Sequence, residues 1–301
     1  MLIQIPAPRN DREWQSVLSL DNESFKRLCS RCNEVYFELN GYSYKDMLNF
    51  NPNGGKATFS KLDDLIFATL LFLKSGITFD FFGYLFQIDQ PNAIRKFRSG
   101  LKIIHDTLEI DGYIPFRDFE NAGLFHHQFV KGETLILDGT EQRIQRPSSN
   151  EVQKDFYSGK KKGHTVKSLI ISTLDRYIHY VSYCWVGKTH DFTVLKEEFP
   201  PEENWFDPFI IRIDLGYQGF EKEYPDVEIY IPNKKPKGGE LTAEQKEENK
   251  KLARQRIKIE HAIGGMKRYD ILSNVCRIHS WKIYNDILAV TAGLWNYFIS
   301  R

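Results

Sequence analysis

Two apolar runs each end on an aspartate, and this pattern narrows the fold more than anything else in the chain. Thr134-Leu135-Ile136-Leu137 leads into Asp138-Gly139, and Phe209-Ile210-Ile211-Arg212-Ile213 leads into Asp214-Leu215-Gly216-Tyr217. Short apolar, β-branched runs bounded by turn signals read as buried strands. A carboxylate at the end of such a strand costs stability unless it is paired or metal-bound. If the two strands are neighbours, both side chains emerge at one sheet edge a few ångströms apart, and like charges that close require a compensating cation. A third carboxylate, Glu260, lies in the basic helical stretch Arg254-Gln255-Arg256-Ile257-Lys258-Ile259-Glu260-His261. Three such oxygen donors suit a hard divalent cation, and a cluster of this kind can hold two ions for in-line attack on a phosphodiester. Either aspartate alone also fits a turn former at a strand end.

The rest of the chain sorts into a helical part followed by a mixed one. Phe25 to Phe37 reads as helix, and Asn51-Pro52-Asn53-Gly54-Gly55 is a break. Leu62 to Lys74 carries apolar residues at helical spacing and stops at Ser75-Gly76. Thr78 caps a short helix over Phe79 to Phe86, and Asp89-Gln90-Pro91 opens a third helix from Asn92 to about Leu108. The outer face of that helix offers Arg95, Lys96, Arg98 and Lys102. Helix, turn, short helix, turn, basic helix is the helix-turn-helix layout, although any three-helix cluster gives a similar pattern. From Glu133 the pattern turns to strands: Leu135–Leu137, Thr165–Thr173 and Tyr177–Trp185 joined by Leu174-Asp175-Arg176, Phe209–Ile213, and Val227–Ile231. Helices are expected over Phe192–Phe199, Thr242 to about Arg268 with a Thr242/Gln245 capping box, and Trp281–Ile299. His190-Asp191 reads as the N-cap of the first of these. This order implies a mixed α/β sheet.

Charge and cysteine usage exclude several classes. Formal net charge over the 301 residues is only +1, yet residues 141–170 hold seven Lys/Arg against three Asp/Glu, and residues 231–270 hold eleven against six. Positive charge thus gathers near the three acids, where a phosphate backbone would lie; two solvated basic loops are the plain alternative. Arg143, Arg146 and the turn Lys160-Lys161-Lys162 belong to the first cluster, and Arg256 and Lys267, which share a helix face with Glu260, belong to the second. Four cysteines make no disulfide scaffold, and Cys29-Ser30-Arg31-Cys32 reads as structural thiols on a helix. Met1-Leu2-Ile3-Gln4-Ile5-Pro6 lacks the charged region of a signal peptide, and Leu65–Leu73 is too short to span a bilayer, so a reduced, cytoplasmic setting is expected. There is no G-x-x-x-x-G-K-[ST] motif to bind a nucleotide.

Six short motifs appear in one order: Asp138-Gly139-Thr140-Glu141 with Arg146-Pro147, Tyr157 to His164, Gly187-Lys188-Thr189-His190-Asp191, Asp214 to Gly219, Ile231 to Pro236, and Arg256 to His261 before Lys267. In this order the chain resembles insertion-sequence transposases of the DDE superfamily, of the insertion-sequence-five type with Harbinger-like relatives, over roughly residues 60–300. The resemblance implies a ribonuclease-H-like catalytic domain at residues 133–301, preceded by a helical segment at 1–55, a helix-turn-helix at 56–112 and a linker at 113–132. It implies Asp138, Asp214 and Glu260 as catalytic ligands of two Mg²⁺ or Mn²⁺ ions. It further implies DNA contacts from Arg95, Lys96, Arg98, Arg143, Arg146, Lys160, Lys161, Lys162, Arg256 and Lys267. The activity implied is cleavage and strand transfer at terminal inverted repeats, by a homodimer on DNA, with no membrane partner. Two rivals fit the same residues: a domesticated nuclease without transposition, and a DNA-binding regulator whose second domain is inert.

Overall fold

The computed structural model describes residues 7–50 and 57–300; the N-terminal segment 1–6 and the break at 51–55 lie outside them. In chain order the elements are α1 (Asp11–Leu18), α2 (Asn22–Asn40), α3 (Tyr44–Asn49), α4 (Leu62–Ser75), α5 (Phe79–Phe86), α6 (Gln90–Ile110), α7 (Ala122–His126), β1 (Thr134–Arg143), α8 (Asn150–Phe156), β2 (Tyr157–Ser158), β3 (Gly163–Thr173), β4 (Ile178–Val181), β5 (Trp185–Val186), α9 (Asp191–Glu198), β6 (Ile210–Arg212), α10 (Phe220–Glu223), β7 (Glu228–Tyr230), α11 (Ala243–Met266) and α12 (Trp281–Ile299). They form two compact units: a helical one of residues up to 114 together with 267–299, and a sheet unit of residues 115–266.

In the helical unit the local signals act where they were read. Thr78 accepts a hydrogen bond from the Phe81 amide at 3.2 Å, and Asp89 accepts one from the Asn92 amide at 2.8 Å. Gly76 closes α4 in the left-handed region at φ 59°. α2 runs longer than expected because Asp21 caps its start and Gly41 its end. It buries both Cys29 and Cys32. α4 and α6 cross at Gly100, where a Cβ would stand 2.0 Å from Thr69 Oγ1, so only glycine lets the helices approach this closely. α12 also joins this unit, packing on α6. It buries a continuous run from Ile287 to Asn296, too much apolar surface for one contact face. The expected 133–301 domain therefore parts at Met266.

The sheet unit carries the mixed α/β sheet. Its order is β2-β3-β1-β6-β7, with β4 and β5 pairing further along β3. β1 runs antiparallel to β3 and parallel to β6, which is parallel to β7. The turn at Leu174-Asp175-Arg176 forms as expected, but the run Tyr177–Trp185 breaks into β4 and β5. Leu135, Leu137, Leu169, Ile171, Ile211 and Ile213 face a buried cluster rich in Phe and Tyr. Phe125 and Phe129 of the expected linker belong to that cluster, and the Phe116 amide bonds the His179 carbonyl at 2.8 Å. Residues 115–132 are thus part of the sheet unit, drawn in by their aromatic side chains. α11 covers β1 and β3, and its start has the capping box, with Gln245 N donating to Thr242 Oγ1 and Thr242 N to Gln245 Oε1.

Candidate active site

The β1–β6 ladder ends at the pair Ile136–Arg212. Two residues further along each run, on the same face, stand Asp138 and Asp214. Asp214 is still extended, at φ −94° and ψ −178°. Asp138 does not end its strand, as expected, but lies within β1: β3 goes on pairing to Arg143 while β6 stops. The sheet therefore opens on one side of Asp138, and that opening is the edge at which both carboxylates emerge. Asp138 Oδ1 accepts from the Gly139 amide at 2.8 Å, and Asp214 Oδ1 from the Gly216 amide at 2.7 Å. Local turn-like bonds are thus present beside any further role.

α11 brings the third carboxylate. Arg256 Nη1 lies 3.4 Å from Asp138 Oδ2, and its Nη2 donates to Glu260 Oε1. One guanidinium, 118 positions along the chain from Asp138, thereby joins that strand residue to a helix residue. The Asp138 side chain is 19% exposed and that of Glu260 47%, so the pair spans the wall and the mouth of the site. Burial, and then the charge of Asp214, push the Asp138 carboxyl up to about 6, against the pull of the Gly139 amide and Arg256.

Beneath the carboxylates lies Tyr217, 1% exposed, whose hydroxyl has no hydrogen-bond partner among the described residues. Its ionisation is raised far above the ordinary range by burial, then by Asp138, Asp191 and Asp214. Asp191 itself departs from its expected capping role. His190 is the N-cap of α9 and makes no side-chain cap bond, while Asp191 Oδ1 receives Lys167 Nζ at 2.9 Å. The salt bridge with Lys167 claims the carboxylate that a cap would have used. Lys167 and Arg212 were missed in the sequence. Arg212 stacks on Tyr230 with its guanidinium carbon 4.5 Å from the ring centre. A usable signal existed: each is the lone charge inside an otherwise uncharged strand run.

The remaining candidates fall in several places. Arg95 and Arg98 are exposed on α6, and Lys96 is half-buried there. Arg143, at the end of β1, donates to the Lys161 carbonyl at 3.0 Å, and Arg146 to Gln153 Oε1 at 3.0 Å. Lys160, Lys161 and Lys162 form the exposed turn between β2 and β3. The five-residue rise from Asp138 to Arg143 sets this basic end roughly 17 Å along the strand from the acids. Lys267 does not continue the Arg256–Glu260 face: α11 stops at Met266, after Gly264 and Gly265, and Lys267 belongs to the helical unit. Paired glycines weaken a helix's last turn.

The donor set fits a divalent cation: oxygen ligands, a carboxyl raised by burial and then by a like charge, and three acids with one shared arginine between two of them, which leaves negative charge for a cation to balance. Among the described residues, the three acidic or histidine side chains whose ligand atoms all lie within 4.8 Å of one another are His105, Asp106 and Glu109, a surface group on α6. Asp138, Asp214 and Glu260 are spread wider, as acids divided between two ions can be. No helix among the described residues is long and apolar enough to cross a membrane.

Two aspartates at one opening of a mixed sheet thus stand near a helical glutamate that shares an arginine with the first of them. The DDE superfamily endonuclease model matches residues 137–296, more than half of the chain, and the protein belongs to that family. It is 35% identical over 164 residues to a protein of Microchaete diplosiphon described as a probable transposase for insertion sequence element IS702. The matched stretch is 54% of this chain and 56% of that protein, so the chain spans little more than half the length of the relative. No solved structure matches it.

Proposed function

We propose that the protein is a metal-dependent DNA transposase of the insertion-sequence kind, with Asp138, Asp214 and Glu260 as its metal ligands. The observation that carries the reading is the Arg256 bridge, which brings Glu260 of α11 to Asp138, while Asp214 lies just past the end of the neighbouring strand. A pair of Mg²⁺ or Mn²⁺ ions, when bound, supplies an activated nucleophile and neutralises charge developing on the phosphodiester. The chain's own residues do the rest. The three carboxylates hold the ligand field, Arg256 stands ready to grip a phosphate oxygen, and Arg143, Arg146 and Lys160–Lys162 track the backbone beyond it. A sheet antiparallel on one side of β1 and parallel on the other supports a ribonuclease-H-like reading, and the α5–α6 pair supports a helix-turn-helix that presents Arg95 and Arg98 to DNA. The likeness to the insertion-sequence relative supports terminal inverted repeats as the substrate.

The test uses the full chain and duplexes ending in the repeats that flank its gene. Asp138→Asn, Asp214→Asn and Glu260→Gln keep shape while removing charge. Each is expected to lower Mg²⁺-dependent cleavage by several orders of magnitude and leave DNA binding nearly intact. Near wild-type cleavage by any one of them removes that residue from the ligand set. Joining of the cleaved 3′ ends to a second duplex separates a transposase from a nuclease alone.

A further inference from the structure

We infer that Asp191 is a positioning residue of the acidic site: a fourth carboxylate that packs against the backbone following both Asp138 and Asp214 and fixes their spacing. The inference rests on the proposed metal-site reading. Its geometry is independent of the ion. A Cβ on Gly139 would stand 3.1 Å from Asp191 Oδ1 and 3.3 Å from its Cγ. A Cβ on Gly216 would meet Asp214 Oδ1 first, at 2.9 Å, and would stand 3.6 Å from Asp191 Oδ2. Gly139 follows Asp138 directly and Gly216 follows Asp214 by two, so one carboxylate fills the space at Gly139 and comes within contact distance of the space at Gly216. Each of these glycine amides also holds its own aspartate, at 2.8 and 2.7 Å. Whatever fixes the two glycines therefore fixes the two aspartates.

Asp191 is itself held. Lys167 of β3, with its side chain 11% exposed, anchors it at 2.9 Å. At the other end of α9, Glu198 accepts from Tyr180 at 2.6 Å and from Trp185 at 2.5 Å. The helix is thus tied to the sheet at both ends, which leaves the Asp191 carboxylate little room to drift. Tyr217 gives a second, separate sign: a buried hydroxyl without a partner among the described residues, set where the charges of Asp138, Asp191 and Asp214 all reach it. Residues that orient ligands without touching the metal act through affinity, and their loss weakens binding about 10- to 100-fold.

The experiment reads Mn²⁺ binding to the full chain by titration calorimetry, without DNA. Asp191→Glu keeps the charge but moves the carboxylate by one methylene. It is expected to weaken Mn²⁺ at least about tenfold, as is Asp191→Asn. Gly139→Ala, at a backbone position open to any residue, is expected to do the same by displacing Asp191. In an Asp191→Ala background it should then add nothing, because coupled sites are not additive. Cooperative thermal unfolding of each variant checks the fold, and Asp191→Glu and Gly139→Ala carry the test if Asp191→Ala fails to fold. Wild-type affinity in Asp191→Glu, or additive effects in the cycle, overturns the positioning role. Absence of Mn²⁺ binding by the wild type, or its persistence in Asp138→Asn, instead overturns the metal site on which the inference rests.

Discussion

At the scale of single residues, the site stores its function as instability. A carboxyl raised from 3.8 to about 6 by burial and by Asp214 favours its protonated form in the fold. The stabilisation this gives is full below the unfolded value and is lost as pH rises through about 6. Above that, the charged Asp138 costs on the order of 2–3 kcal/mol. Asp138→Asn is therefore expected to stabilise the protein in EDTA by about that amount at pH 8, with the gain fading toward pH 4. Urea denaturation of both proteins across this range measures it; an equal or lower stability for the variant at pH 8 contradicts the proposed repulsion. These pairwise effects were only half legible in the sequence. Asp138 and Asp214 stood out because each interrupts an apolar run. Arg256 could be placed on a face with Glu260 by helical spacing, but its reach to Asp138 depends on where α11 crosses the sheet. Asp191 reads as a cap because a cap is local, whereas its partner Lys167 lies on β3, 24 residues away.

At the scale of elements, what was local in sequence was legible, and what depended on crossings was not. Thr78, Asp89 and the Thr242/Gln245 box act within one helical turn, so their sequence spacing suffices to find them. The β1–β6 register, the break between β4 and β5, and the close α4–α6 crossing arise from partners far along the chain. Gly100 shows the difference. In sequence it is a helix-weakening residue, and in the fold it is the contact point of α4. Gly100→Ala would improve helix propensity yet drive a methyl to within 2.0 Å of Thr69 Oγ1. It is expected to destabilise the helical unit by about 1–3 kcal/mol. Thr69→Ala in the same chain should recover part of that loss, since it removes the hydroxyl the methyl meets. Thermal unfolding of the two single variants and the double variant measures the coupling; independent, additive effects would mean that the helices relax apart without cost.

At the scale of the whole molecule, net charge says little and its distribution says more. The formal charge is +1, so general attraction to nucleic acid is weak, and any binding must come from basic clusters. Those clusters lie in both units: Arg95 and Arg98 on α6, and Arg143, Arg146 and Lys160–Lys162 near the end of β1. The second cluster begins roughly 17 Å along the strand from Asp138, about five phosphate steps at 3.4 Å per nucleotide. On the proposed function, that distance suits contact with duplex flanking the cut rather than with the cut itself. Each phosphate neutralised releases counterions, so log affinity falls against log salt by about 0.9 per contact. Replacing Lys160, Lys161 and Lys162 together by Gln is expected to flatten that slope by up to about three units and to weaken all duplexes equally, because phosphates carry no sequence. Arg95→Ala with Arg98→Ala should differ: if α6 reads bases, repeat-bearing duplex loses more affinity than unrelated duplex. Fluorescence anisotropy of the full chain on both duplexes, over a range of salt, measures both effects. An unchanged slope in the triple variant would return those lysines to a solvated turn, and equal losses in the arginine pair would make α6 a backbone contact only.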